Sequence, residues 1–145
     1  MSFETFEHKA DIGVSGKGKT VSIAFEECAK AMMSVMTDIN SINPVKSHVI
    51  NLSEKNYSAL LVLFLNELLF LKDKKKMIYS KYRVELKEEK NDSSENKFLL
   101  KAVIFGEKID QKKHEFKVDA KAATYSQLEV KKEGNNWIAQ CIIDV

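Results

Sequence analysis

The 145 residues include 23 basic and 21 acidic side chains, a formal net charge of +2, and 44% hydrophobic residues. The apolar share permits one buried core, and the length fits one domain spanning residues 1–145. So small a net charge gives no basis for non-specific nucleic-acid binding, and no tight direct binding of that kind is expected.

Cysteine and targeting signals point the same way. Cys28 and Cys141 fall in apolar patterns, helix-like and strand-like respectively, so both read as buried free thiols in a reducing compartment. With two cysteines and three scattered histidines there is no zinc-finger spacing. The start, MSFETFEHKAD, has no basic segment followed by an apolar run, as a signal peptide would. The most apolar stretch, 59–71, contains Asn66 and Glu67 and falls short of the roughly 20 residues that a membrane span needs. A cytoplasmic protein without membrane attachment is the expectation.

In chain order, residues 3–8 and 12–15 are short strand-compatible pieces separated by a polar turn at 9–11. Gly16, Gly18 and the lysines between and after them read as a loop. Thr20 suits a helix N-cap, and Val21, Ala24, Phe25, Cys28, Ala31, Met32, Val35 and Met36 recur at spacings of three and four, the stripe of an amphipathic helix. Residues 45–52 suit a strand, with Ser53 as the next N-cap. Residues 57–71 are apolar on nearly every side and too long for a typical strand, which predicts a mostly buried helix. The lysines at 72–76 end it, complementing the helix dipole.

The remainder reads as strands. Tyr82, Val84 and Leu86 alternate with charges, residues 88–96 form a solvated hairpin loop, and 98–105 return. After a charged connection at 106–117, residues 120–131 place Ala120, Ala122, Thr124, Ser126, Leu128 and Val130 on one face. A Gly134-Asn135-Asn136 turn leads to a last strand with Trp137, Ala139, Cys141, Ile143 and Val145 on one side. Early helices and late hairpins predict an α+β fold, with two main helices on one side of a largely antiparallel or mixed sheet.

Residues 13–20 (GVSGKGKT) match the phosphate-loop pattern at every fixed position, with Lys19 for phosphates and Thr20 for magnesium. The context argues against it. The residues ahead are polar, whereas a phosphate loop leaves a buried aliphatic parallel strand, and the later chain offers hairpins in place of βαβ crossovers. A glycine-rich turn followed by a helix cap is the reading preferred over a nucleotide-binding protein. No nucleophile, base and orienting group can be assigned as a set, so the chain reads as non-enzymatic.

Two aspartates carry more weight. Asp11 sits between apolar pieces, and Asp144 is the penultimate residue, beside the carboxylate of Val145. Oxygen donors of this kind suit hard cations, although spacing alone makes a terminal aspartate merely solvated and does not bring Asp11 near Asp144. Here the sequence resembles the archease family. Residues 6–13 (FEHKADIG) resemble its F-E-H-T-A-D-[IV]-G opening, 64–69 (FLNELL) its central helix, 121–125 (KAATY) its K-A-x-T-Y-H strand, and 137–145 (WIAQCIIDV) its closing W-x-A-Q-x-x-x-D-V.

The resemblance implies a metal-binding activator of an RtcB-type RNA ligase in tRNA splicing, promoting guanylation and multiple turnover without being an enzyme. By matching position it implies that Asp11, Asp144 and the Val145 carboxylate or carbonyl bind a divalent cation, calcium foremost, with magnesium or manganese as alternatives. The fold it implies brings the first turn beside the last strand. Two departures bear on the site: Lys9 replaces a threonine, placing a cation that competes electrostatically near Asp11, and Ser126 replaces a histidine. His8 reads as a structural hydrogen-bonder, as do Asn66 and Glu67 toward buried backbone, and Trp137 reads as core. The alternatives are nucleotide binding at 13–20 and a chaperone-like module with a structural metal.

Overall fold

The computed structural model describes residues 1–8, 11–90 and 96–145, with the side chains of Phe6, Glu7 and His8 excepted. The chain runs β1 (Ser2–His8), β2 (Asp11–Gly18), α1 (Val21–Met36), β3 (Lys46–Glu54), α2 (Tyr57–Lys75), β4 (Met77–Lys90), β5 (Asn96–Lys108), β6 (Ala122–Ala123), β7 (Glu129–Glu133) and β8 (Asn136–Asp144), with a 3-10 turn at Ile39–Ser41. The α+β class holds, but the strands divide between two sheets. One has the order β1-β2-β8-β6 with β7 also on β8, and the other the order β3-β5-β4. Every pairing is antiparallel. Both helices touch both sheets, so a shared core forms between the layers, and one sheet could not cover two helices this apolar.

Helix α1 matches its sequence pattern closely. The Thr20 hydroxyl accepts from the Ile23 amide at 3.1 Å, and every stripe residue but Val21 is buried. Glu26, also on α1, accepts from the Val84 amide at 2.8 Å, capping one position on the outer edge of β4. Burial pushes that carboxyl up, against the lowering effect of the amide it binds. Helix α2 is buried around most of its circumference, as its composition demands, and leaves Leu63 and Phe70 exposed. Its N-cap is Asn56, which accepts from the Ala59 amide at 2.7 Å. Ser53 instead stays in β3, where the ladder to β5 runs on through Glu54. The lysines extend the helix by a turn, and Lys76 closes it in the left-handed conformation at φ 55°.

Three further expectations change. Strand β2 runs through Gly18 where a loop is expected after Ser15, because α1 lies so close over it. A methyl group on Gly16 would collide with the Cys28 amide nitrogen and the Ala24 carbonyl oxygen, and one on Gly18 with the Ile23 side chain. The glycines serve helix–sheet approach. Residues 120–131 are not one strand: β6 and β7 pair with opposite ends of β8, separated by a turn with Gln127 at φ 50°. Ala123, not Ala122, faces the core. The hairpin loop shortens as β4 and β5 extend to Lys90 and Asn96, and its residues 91–95 lie outside those described.

The connection after β5 is fastened by one buried ring. His114 Nδ1 accepts from the Asp110 amide at 2.9 Å, so Nε2 carries the proton and donates to Glu107 at 2.9 Å. Glu107 also accepts from Lys113 Nζ and from the Asn43 amide. The Lys113 ammonium foremost, then the Asn43 amide and His114, hold its carboxyl down at about 2 from the ordinary 4.5.

Two predictions follow from these contacts. Gly16→Ala should destabilise by about 3 kcal/mol or more, since backbone atoms block the new methyl; a denaturant midpoint matching the parent would refute the close approach. Because Glu107 has a depressed folded pKa, its contribution is present in full above about 4.5 and is lost as pH falls toward about 2. Glu107→Gln should therefore lower the melting temperature at neutral pH and weaken its decline over that acidic range. Parallel acid profiles for the two proteins would contradict the assignment.

Candidate metal centre

Strand β2 is central in its sheet, paired with β1 on one side and β8 on the other. Its register against β8 sets Gly16 opposite Ala139, Val14 opposite Cys141 and Ile12 opposite Ile143 on the face toward α1. One residue further, Asp11 stands opposite Asp144 on the other face. Asp11 is half-buried and Asp144 exposed. Direct partners in an antiparallel pair hold their Cβ atoms about 4.5–5.5 Å apart, and two like charges so placed repel. The two aspartates singled out in the sequence are thus neighbours, separated by 133 positions of chain but by one strand spacing in the fold.

Several elements hold the Asp144 end in place. Ala122 of β6 is its partner on the far side, and the Lys121 amide donates to the Asp144 carbonyl at 2.8 Å. Thr124 donates twice to the Ile142 carbonyl, from its amide at 3.0 Å and its hydroxyl at 2.9 Å. Helix α2 reaches the same place through Asn66. Its Nδ2 donates to the Ala123 carbonyl at 3.1 Å and its Oδ1 accepts from the Ala123 amide at 2.8 Å. Asn66 therefore does pair with backbone, while half-buried Glu67 takes no part in this clamp. Val145 follows Asp144 directly, and its half-buried side chain packs on the core. The role of Thr124 in pinning the last strand escaped the sequence reading, although it belongs to the quoted 121–125 block.

The donor chemistry suits a hard cation. Two carboxylates on one face, next to backbone and terminal oxygens, are the ligand type of calcium and magnesium. Among the described residues no three His, Cys, Asp or Glu side chains gather into a metal-binding cluster, so a full shell would need backbone, terminal or water oxygens. The backbone of His8 is opposite Asp11 in β1; its side chain and all of Lys9 lie outside the described residues. Ser126 is exposed, and its carbonyl accepts from the Ile142 amide at 3.2 Å.

The phosphate-loop match has a different geometry from the one its chemistry needs. Residues 13–17 are strand paired on both edges and Gly18 is paired with β8, so their amides serve the ladders and form no anion cradle. Thr20 caps α1. The thiols are free and buried. Burial pushes Cys141 up to about 12 and Cys28 up as well. Trp137 is half-buried, edge-on to Tyr57 with ring centroids 6.3 Å apart. Among the described residues no helix is long and apolar enough to cross a membrane.

Fold and strand-end pair together define a small α+β protein in which the second and last strands set two carboxylates opposite each other. Residues 3–145 match the model of the Archease protein family (MTH1598/TM1083), and the chain belongs to that family. It is 37% identical over 144 residues to an archease of Thermococcus gammatolerans, covering 99% of this chain and 98% of that protein. An archease of Sulfurisphaera tokodaii is 34% identical over 145 residues, covering 100% and 99%. The solution structure of Methanobacterium thermoautotrophicum protein 1598 superposes with a TM-score of 0.78 at 27% identity, covering 99% of each chain. A Thermotoga maritima crystal structure described as an archease and possible chaperone shares the fold, with a TM-score of 0.54 at 15% identity over 98% and 96% of the two chains.

The Asn66 clamp can be tested separately from any ligand. Asn66→Ala should cost about 2–3 kcal/mol, because it leaves two backbone groups of Ala123 without their partners. Amide exchange should quicken at Ala123 and Thr124 more than in α1. Unchanged exchange there would show that β6 is held without the clamp.

Proposed function

We propose that this chain is a non-enzymatic activator of an RtcB-type RNA ligase and that it binds a divalent cation, calcium foremost, through Asp11, Asp144 and the oxygens of Val145. The observation that carries the reading is the direct opposition of Asp11 and Asp144 in register, in a chain of the archease family. Two anions held opposite each other repel, and a bound cation would turn that repulsion into attraction. The chain's own part is to fix the pair: β1 and β8 flank Asp11, and Lys121 and Ala122 hold the backbone of Asp144. A cation there would supply charge stabilisation for phosphoryl chemistry in a partner's active site, in keeping with promoted guanylation and turnover. Exposed Leu63 and Phe70, two turns apart on α2, offer apolar surface to a protein partner, which also suits a chaperone-like module with a structural metal.

Asp144→Asn supplies a test with opposite signs. Without cation the variant should melt at a higher temperature than the parent, since a like-charge pair is gone, by about 0.2–1 kcal/mol. Its calcium affinity should fall by more than the ~10-fold that outer-shell changes cost. Stimulation of multiple-turnover ligation by the cognate ligase should fall with it, while single-turnover ligation by pre-guanylated ligase should not change. Unaltered calcium titration heats would remove the metal site. Lost calcium binding with undiminished stimulation would leave the metal a structural role only.

A further inference from the structure

The outward face of the three-stranded sheet concentrates charge of one sign. Tyr82, Val84, Leu100, Ala102, Ile104 and Ile50 turn inward and are buried, while Val49, Leu99 and Val103 leave an apolar strip among the outward positions. The intervening positions face solvent. They carry five cations, Lys81, Arg83 and Lys87 on β4 with Lys97 and Lys101 on β5, against two carboxylates, Glu85 and Glu89. That excess is larger than the +2 of the whole chain, so positive charge is segregated onto this surface. None of the five cations joins the ion pairs formed among the described residues.

Within the basic field lies one aromatic ring. Phe105 of β5 is half-buried, with Lys81 Nζ 5.5 Å and the Arg83 guanidinium carbon 5.8 Å from its centroid. Across the sheet the face continues into exposed polar side chains of β3, Asn51 and Ser53 among them. We propose that this face is a contact surface for single-stranded nucleic acid, with Phe105 and Arg83 as stacking platforms and the surrounding lysines as phosphate contacts.

Magnitudes favour this occupant over an acidic protein. An exposed cation–π contact is worth about 0.5–1 kcal/mol, whereas stacking a base on an aromatic side chain gives about 1–3 kcal/mol. A base can therefore displace Lys81 and Arg83 from the ring, and both cations then have phosphates to meet. A carboxylate surface offers no group that gains by contact with the ring. The extended face with a ring set among cations also matches the sheet surfaces on which unpaired bases are splayed and stacked. With few cations the binding is weak, about 10–100 µM at low salt, in keeping with the near-neutral charge of the whole molecule. The inference does not rest on the cation site, which belongs to the other sheet.

The test is fluorescence anisotropy of a short labelled oligouridylate with the full chain, at two salt concentrations. Binding at low salt that weakens as salt is added is expected. Lys81→Glu with Arg83→Glu should lower affinity at least tenfold and flatten the salt dependence. Phe105→Leu, which keeps a similar apolar volume, should lower it about fivefold or more while leaving the salt dependence unchanged. Melting temperatures within a few degrees of the parent confirm that the variants are folded. Absence of binding at low salt overturns the proposal, as does an unaffected Phe105→Leu protein or equal affinity for duplex RNA. Polyglutamate bound as tightly as the oligonucleotide, with no effect of Phe105→Leu, would assign the face to an acidic protein and also overturn it.

Discussion

The antiparallel pairing of β2 with β8 is the constraint from which the rest of the molecule follows. It joins the first and last parts of the chain across a long sequence separation. Its inner positions are small or apolar: Gly16 beside Ala139 makes a floor low enough for α1 to settle on, and Val14 beside Cys141 fills the space under the helix. Because side chains alternate with a period of two, a slip of β8 by one residue would turn Asp144 inward and Ile143 outward. The core thus sets the register, and the register sets the opposition of the two aspartates. The site is a consequence of packing several residues away.

What was legible in the sequence was what period and capping encode. The α1 stripe, the Thr20 cap and the inward face of β8 depend on neighbours within a few residues, and all appear as read. What was not legible depends on partners far along the chain. Gly16 and Gly18 look like loop residues until α1 is seen lying over them. Ser53 and Asn56 are both good caps, and the choice falls to the β3–β5 ladder, which runs past Ser53. Residues 120–131 alternate like one strand but must follow β8 along its length, and the left-handed Gln127 breaks them into two. The nearness of Asp11 to Asp144 has no local signature at all. Likeness to a family implies it, and its physical basis is a strand register.

The four sequence blocks shared with the family meet in space. The described residues of the opening block lie at one end of the β1–β2 pair, the closing block forms β8, the 121–125 block lies along the end of β8, and the central helix reaches that block through Asn66. Residues that look scattered along the chain therefore support one corner of one sheet. The basic face belongs to the other sheet, and the two helices touch both.

The placement of the thiols has a bearing on chemistry the protein avoids. Cys28 on α1 and Cys141 on β8 lie in the dry layer between helix and sheet, and burial disfavours the thiolate of each. Peroxides and electrophiles react with thiolates that they can reach. Neither condition is met while α1 rests on its glycine floor. The same close approach that shapes the acidic corner thereby shields both thiols from oxidants in the surroundings.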